Sequence, residues 1–263
     1  MAKARALWNQ QSRSTVAADT IHAELGRRLV VPNTRWNSLY DAIVVLNGIL
    51  ETKRPSLHRV MSLLKITTFS DQDVTVMKEY AKVMAPVAIA LDRIQGEAQA
   101  YLGSLLPTIA ATILKLKHIK TKGLIHCTAL ANALINGIEK RFGPLLNDEH
   151  CQLAAGFHPK FRLICLETYD RDRVNAVKKS MESKVEEALR QEVQENSKNS
   201  VSGGGSNGGS SDNEEDFFKS VTTQCKERPT RQNSLKTKAQ SIVKMWLDTP
   251  SKDSLDDAAF FGD

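Results

Sequence analysis

Two stretches of this sequence carry residue types that could meet a nucleic acid. Arg35 and Trp36 stand side by side, a guanidinium able to hold a phosphate next to an indole able to stack on a base. Lys115, Lys117, Lys120 and Lys122 form the densest basic run, K-L-K-H-I-K-T-K. Each has a plainer reading beside it. A Trp opening a helix commonly belongs to the core, and cations closing a helix offset its dipole. Two further pairs, His126-Cys127 and His150-Cys151, could supply four nitrogen and sulfur ligands to zinc. Adjacent helical residues point about 100° apart, so each pair would have to sit at a helix end to converge. No metal site is expected from them. Glycines cluster only at 203–209, in a polar run with no Lys-Ser/Thr behind it, which excludes a phosphate-cradling P-loop. Asp92, Asp170, Asp172 and the 214–216 acids lie on charged helices or in that polar run. None is an isolated carboxylate in an apolar strand, so a two-metal site, any other catalytic residue and any cofactor are not expected.

The elements that must position these residues read as helices. Apolar positions from Ala4 through Leu7, Trp8, Val16, Ala17, Ile21 and Leu25 predict one helix over 3–26, stopped by Gly26. Leu29-Val30-Val31-Pro32 is the one candidate strand. Asn33 or Thr34 is the expected cap of a helix running from Ser38 through Leu39, Ile43, Leu46 and Leu50. Pro55 opens the next, with Leu57, Val60, Met61 and Leu64 inward. Ser70-Asp71-Gln72-Asp73 caps a long helix over 71–95, which Pro86 should kink. Further helices are predicted over 103–117, 128–141 (ending at Gly143-Pro144), 148–155, 171–195 and 235–247.

Residues 202–216 read SGGGSNGGSSDNEED, with nothing apolar to bury. The expected organisation is a helical body over 1–195, a disordered Gly/Ser/acidic linker over 196–216, and a tail over 217–263 with one amphipathic helix. The fold class is mainly α, with at most one short strand. Charge is uneven. Residues 1–65 hold ten basic and four acidic residues, and the other segments are nearly balanced, so the net +6 of the 263-residue chain sits in its first quarter. Such a quarter could release counterions from phosphate, or could be ordinary solvated surface. No apolar run approaches the roughly 18 residues of a membrane span. The start, MAKARA, lacks the apolar stretch of a secretory signal, and the four Cys show no C-x-x-C spacing. An intracellular, reducing setting is expected, with no membrane and no small-molecule substrate.

Thr34-Arg35-Trp36-Asn37-Ser38-Leu39-Tyr40-Asp41 resembles the T-R-W-N-S-x-Y-D block of hAT-superfamily transposases and their domesticated, BED-finger-type relatives. Other blocks follow in order. Met84-Ala85-Pro86-Val87-Ala88, Leu91-Asp92 and Gln95-Gly96-Glu97 are similar to the family's P-L-A-x-A-L-D-x-L-Q-G-E helix. Next come Tyr101-Leu102-Gly103-Ser104-Leu105-Leu106-Pro107-Thr108 and then Ala154-Ala155-Gly156-Phe157-His158-Pro159-Lys160-Phe161-Arg162-Leu163, which resembles A-x-x-L-D-P-R-F-K-L. His158 stands where that block usually has Asp. The resemblance covers about residues 6–170.

That resemblance implies an RNase H-like transposase whose helical insertion region this chain matches. The family cuts DNA with two Asp and one Glu that hold divalent metal, and no position here matches any of the three. A non-catalytic, transposase-derived protein is therefore expected, associated with DNA or chromatin in the nucleus, or otherwise cytoplasmic. The family's Trp lies near the cleavage site, which implies a DNA-proximal place for Trp36. Arg35, Trp36, Lys115, Lys117, Lys120 and Lys122 are the candidate DNA-binding residues. Two alternatives stand beside this. Exposed amphipathic helices could serve a protein partner or self-association, and the chain could be a transposon remnant with no retained molecular function.

Overall fold

The computed structural model describes residues 1–35, 37–96, 101–169, 171–199 and 228–249. Among these residues stand eleven helices and no strand, a mainly α, multi-helix architecture. They are α1 (Ala2–Arg13), α2 (Thr15–Leu25), α3 (Ser38–Thr52), α4 (Arg54–Leu63), α5 (Asp71–Gln95) and α6 (Leu102–Thr121). The rest are α7 (Thr128–Leu146), α8 (Glu149–Gly156), α9 (Ile164–Tyr169), α10 (Arg171–Asn199) and α11 (Arg228–Asp248). The chain divides into two compact units, Met1–Tyr101 with Thr108–Pro144, and Leu102–Pro107 with Leu145–Asp263. The expected 1–195 body falls across both, and α11 belongs to the second.

In the first unit α1 packs on α2, α2 on α4, and α3 on both α4 and α5. Leu7, Trp8, Ile21, Leu25, Ile43, Leu46, Leu57, Met61, Phe69 and Met77 form its continuous core. Nearly all of these positions follow from helical spacing. The expected single helix over 3–26 does not hold. Ser14 is extended, and its Oγ accepts from the Ala17 N–H at 3.2 Å, so it caps a separate α2. The break turns Val16 outward, where it is 73% exposed. Gly26 ends α2 with φ +74°, a left-handed conformation that L side chains adopt at a cost. Lys53 then donates to the Leu25 carbonyl at 2.8 Å.

The Leu29–Val31 segment is no strand, because the helical unit offers it no second strand. The Gln11 carboxamide takes that place: Oε1 accepts from Leu29 N–H at 2.7 Å and Nε2 donates to Leu29 C=O at 2.9 Å. Neither Asn33 nor Thr34 caps α3, whose N-cap is Asn37. The cap of α5 is as read. Ser70 Oγ accepts from Asp73 N–H, and the Asp73 carboxylate accepts from Ser70 N–H, a reciprocal box. Lys3 of α1 donates to the same carboxylate at 2.6 Å and to Thr68 C=O at 3.0 Å. The hydrogen bond from Lys3, then those from Ser70, hold the Asp73 carboxyl far below its ordinary range. Helix α7 runs through Gly143-Pro144 to Leu146 instead of stopping there. Pro144 removes one bond to the Lys140 carbonyl, and both residues are exposed, so water can satisfy it.

Glu79 of α5 fastens the loop between α6 and α7. Its carboxylate accepts from the N–H groups of Ile125 (2.7 Å), His126 (2.8 Å) and Cys127 (2.9 Å), just ahead of α7. Burial pushes the Glu79 carboxyl up, but the three N–H groups outweigh it and hold the group below its ordinary value.

In the second unit α10 packs on α8, α9 and α11. Asp148 caps α8 by accepting from Cys151 N–H at 2.9 Å. Two glycines permit close approach. A Cβ on Gly103 would meet the Ala154 carbonyl oxygen at 2.6 Å, and one on Gly156 would meet Met181 Sδ at 2.8 Å. Trp246 of α11 donates its indole N–H to Gly156 C=O at 3.0 Å. Arg162, itself left-handed at φ +48°, lies 5.4 Å over the Trp246 ring and donates to the Leu247 and Thr249 carbonyls that end α11. Ala239 and Val243 complete the buried face of α11. Helix α10 continues to Asn199, past the 195 boundary expected of it, so 196–199 of the expected linker are helical. Residues 200–216 of that linker, and 217–227 and 250–263 of the tail, lie outside the described residues.

Glu79→Ala should cost about 1–2 kcal/mol at pH 7, the scale of a lost helix cap. A carboxyl lowered by folding stabilises fully above its unfolded value and loses that share as pH falls toward its folded one. Urea titrations of the two proteins should therefore differ at pH 7 and draw together as the pH falls below the ordinary carboxyl range. Trp246→Phe keeps the ring and removes the bond to Gly156. It should cost about 1 kcal/mol and speed hydrogen exchange across α11; unchanged exchange would show that the bond to Gly156 does not hold α11.

Candidate nucleic-acid interface

The segment from Asn33 to Ser38 is a hydrogen-bonded turn feeding α3. Asn33 Oδ1 accepts from Arg35 N–H at 2.8 Å. Ser38 Oγ lies 2.7 Å from both the Asn33 and Arg35 carbonyls, which share its one proton. Asn37 Nδ2 donates to Asp92 Oδ1 at 2.9 Å and to Ala88 C=O at 3.3 Å, which fastens the turn to the last turns of α5. Arg35 is exposed on this frame. Trp36, the other half of the sequence candidate, lies outside the described residues.

Beside the turn is a cleft of about 510 Å³. Val30, Val31, Asn33 and Arg35 line it on one side, with Asn37, Ser38 and Asp41. Asp92 and Gln95 come from α5. Its charged groups are one guanidinium and two carboxylates, so the cleft repels a phosphate. Arg35 can meet one only at its exposed rim. The acidity is felt next door: burial raises the pKa of Tyr40, and Asp41 and Asp92 raise it further.

The basic run closes α6, as read, but it is not one patch. At 100° per residue Lys115 and Lys122 fall on one side of the helix and Lys117 and Lys120 on the other. Lys117 is paired with Glu139 of α7 at 3.0 Å. Lys120 and Lys122 are exposed, and Lys115 is half-buried. Burial lowers the Lys115 pKa, and the nearby Arg93 guanidinium lowers it further. Sequence reasoning missed Arg93, because a cation in the last turn of a helix reads as dipole compensation. The last turn of α5 is the shared support: Asp92 and Gln95 line the Arg35 cleft, and Arg93 lies near Lys115.

Among the described residues no three His, Cys, Asp or Glu side chains gather where a metal ion could be held. Cys127 and Cys151 are buried free thiols, while His126 and His150 are exposed, so neither pair converges. No described helix is long and apolar enough to cross a membrane. A scan against protein-family models, a search of the curated proteins and a search of the solved structures each return no match to this chain.

The Lys117–Glu139 pair is exposed, and such pairs contribute about 0–1 kcal/mol. Lys117→Ala should therefore leave the thermal midpoint within about 2 °C of wild type. A calorimetric scan showing a larger drop would assign Lys117 to holding α6 against α7.

Proposed function

We propose that this protein is a non-catalytic nucleic-acid-binding protein, derived from an hAT-type transposase and acting at DNA or chromatin in the nucleus. The observation that carries the reading is the turn at 33–38. Within the block Asn37 Nδ2 donates to α5 and Ser38 Oγ donates within the turn, while Arg35 is left exposed. The departure at His158 also has a physical account. His158 Nδ1 accepts from Lys160 N–H at 3.2 Å, the local acceptor role that an Asp two residues earlier would play. Burial and then the Lys160 charge lower the His158 pKa.

The rival reading as an interaction module rested on exposed apolar faces at 3–26 and 235–247. Leu7, Trp8, Ile21 and Leu25 are spent within the first unit, and Ala239 and Val243 within the second. That favours the nucleic-acid reading.

Fluorescence anisotropy on the full chain tests it, with single-stranded and duplex DNA. Three phosphate contacts would lower affinity about 40-fold between about 50 and about 200 mM salt. Trp36→Ala should weaken binding to unpaired DNA more than to duplex. A helical, folded chain that binds neither form at the lower salt would overturn the proposal in favour of a protein partner. An unfolded one would indicate a remnant. No cleavage is expected on adding magnesium or manganese.

A further inference from the structure

We propose that the cleft lined by Val30, Val31, Arg35, Asp41 and, from α5, Asp92 is a base subsite selective for guanine, a reading that rests on the nucleic-acid function above. The charges in the cleft argue for a neutral ligand that both donates and accepts. Arg35, Asp41 and Asp92 all line it, yet among the described residues the guanidinium forms no ion pair with either carboxylate. Guanine presents a matching pattern: N1–H and N2–H₂ donate, while O6 and N7 accept. A carboxylate can take the two donors and a guanidinium the two acceptors. Adenine offers no donor pair to a carboxylate from the same edge, and thymine and cytosine lack the N7/O6 face. Asp92 Oδ1 is already fixed by Asn37 Nδ2, which orients that carboxylate before any ligand arrives. Val30 and Val31 supply apolar wall, and a volume of about 510 Å³ suits one nucleoside. The phosphate stays outside the acidic lining.

The test uses the full chain and thymine 15-mers carrying one central guanine, adenine, cytosine or inosine. Guanine should bind at least about tenfold tighter than adenine. Inosine, which lacks only the N2 amine, should lose much of that preference, and 7-deazaguanine should lose the part that depends on Arg35. Both probes change the ligand and leave the protein intact. Asp41→Asn/Asp92→Asn should erase the preference and leave affinity for all-thymine DNA equal or higher, with an unchanged helical circular dichroism signal. Equal affinity for all four bases, or a preference that survives the double substitution, would overturn the guanine assignment and leave nucleic-acid binding standing. No binding to any oligonucleotide, with guanosine monophosphate bound in a Asp92-dependent way, would keep the cleft assignment, move it to a free nucleotide and overturn the nucleic-acid reading. No binding to either would overturn both.

Discussion

Each helix leaves four N–H groups at its start and four carbonyls at its end without partners inside the helix, and a protein made of short helices carries that burden many times over. Much of the side-chain chemistry here is spent on it. Ser14, Ser70 and Asp148 cap the helices that follow them. Glu79 reaches across from α5 to satisfy three N–H groups ahead of α7. Lys53 and Arg162 reach the terminal carbonyls of α2 and α11 from distant positions in the chain. Those last three contacts do two jobs, since closing a helix end from another element also fixes where that element sits. The apolar stripes bring helices together, and the end contacts choose one arrangement among those the stripes allow.

The same economy shapes the candidate interface. The turn closes through Asn33 and Ser38 and is tied to α5 by Asn37, which leaves Arg35 as its exposed charged side chain among the described residues. Helix α5 supports the turn through Asp92.

Most of the architecture was legible in the sequence because its signals are local. Helical spacing named Leu7, Ile21, Ile43, Leu46, Leu57, Met61 and Met77, all of them core. The Ser70 box and the Asp148 cap were readable from residue type and position. What escaped is non-local or competes with a stronger local signal. Ser14 breaks the first helix inside the polar stretch between Trp8 and Val16, a gap that the apolar spacing on either side bridges. A short apolar run of Leu and Val reads as a strand until one knows that the described residues hold no second strand to pair with it. The four lysines looked like one patch because a string of letters hides the 100° between neighbours. Arg93 was silent because its partner comes from another helix.

The Gln11 carboxamide that stands in for a strand beside Leu29 has a chemical vulnerability that a true strand pairing lacks. Its two contacts need one donor and one acceptor on the same planar group. Deamidation to glutamate would preserve the acceptor and turn an oxygen toward the Leu29 carbonyl, so that attraction becomes repulsion through the exchange of a single amine. The approach to the Arg35 turn would then age with the molecule. A chain old enough to have lost that nitrogen would enter the 30–38 segment from a loosened start, with every other contact of the turn still in place.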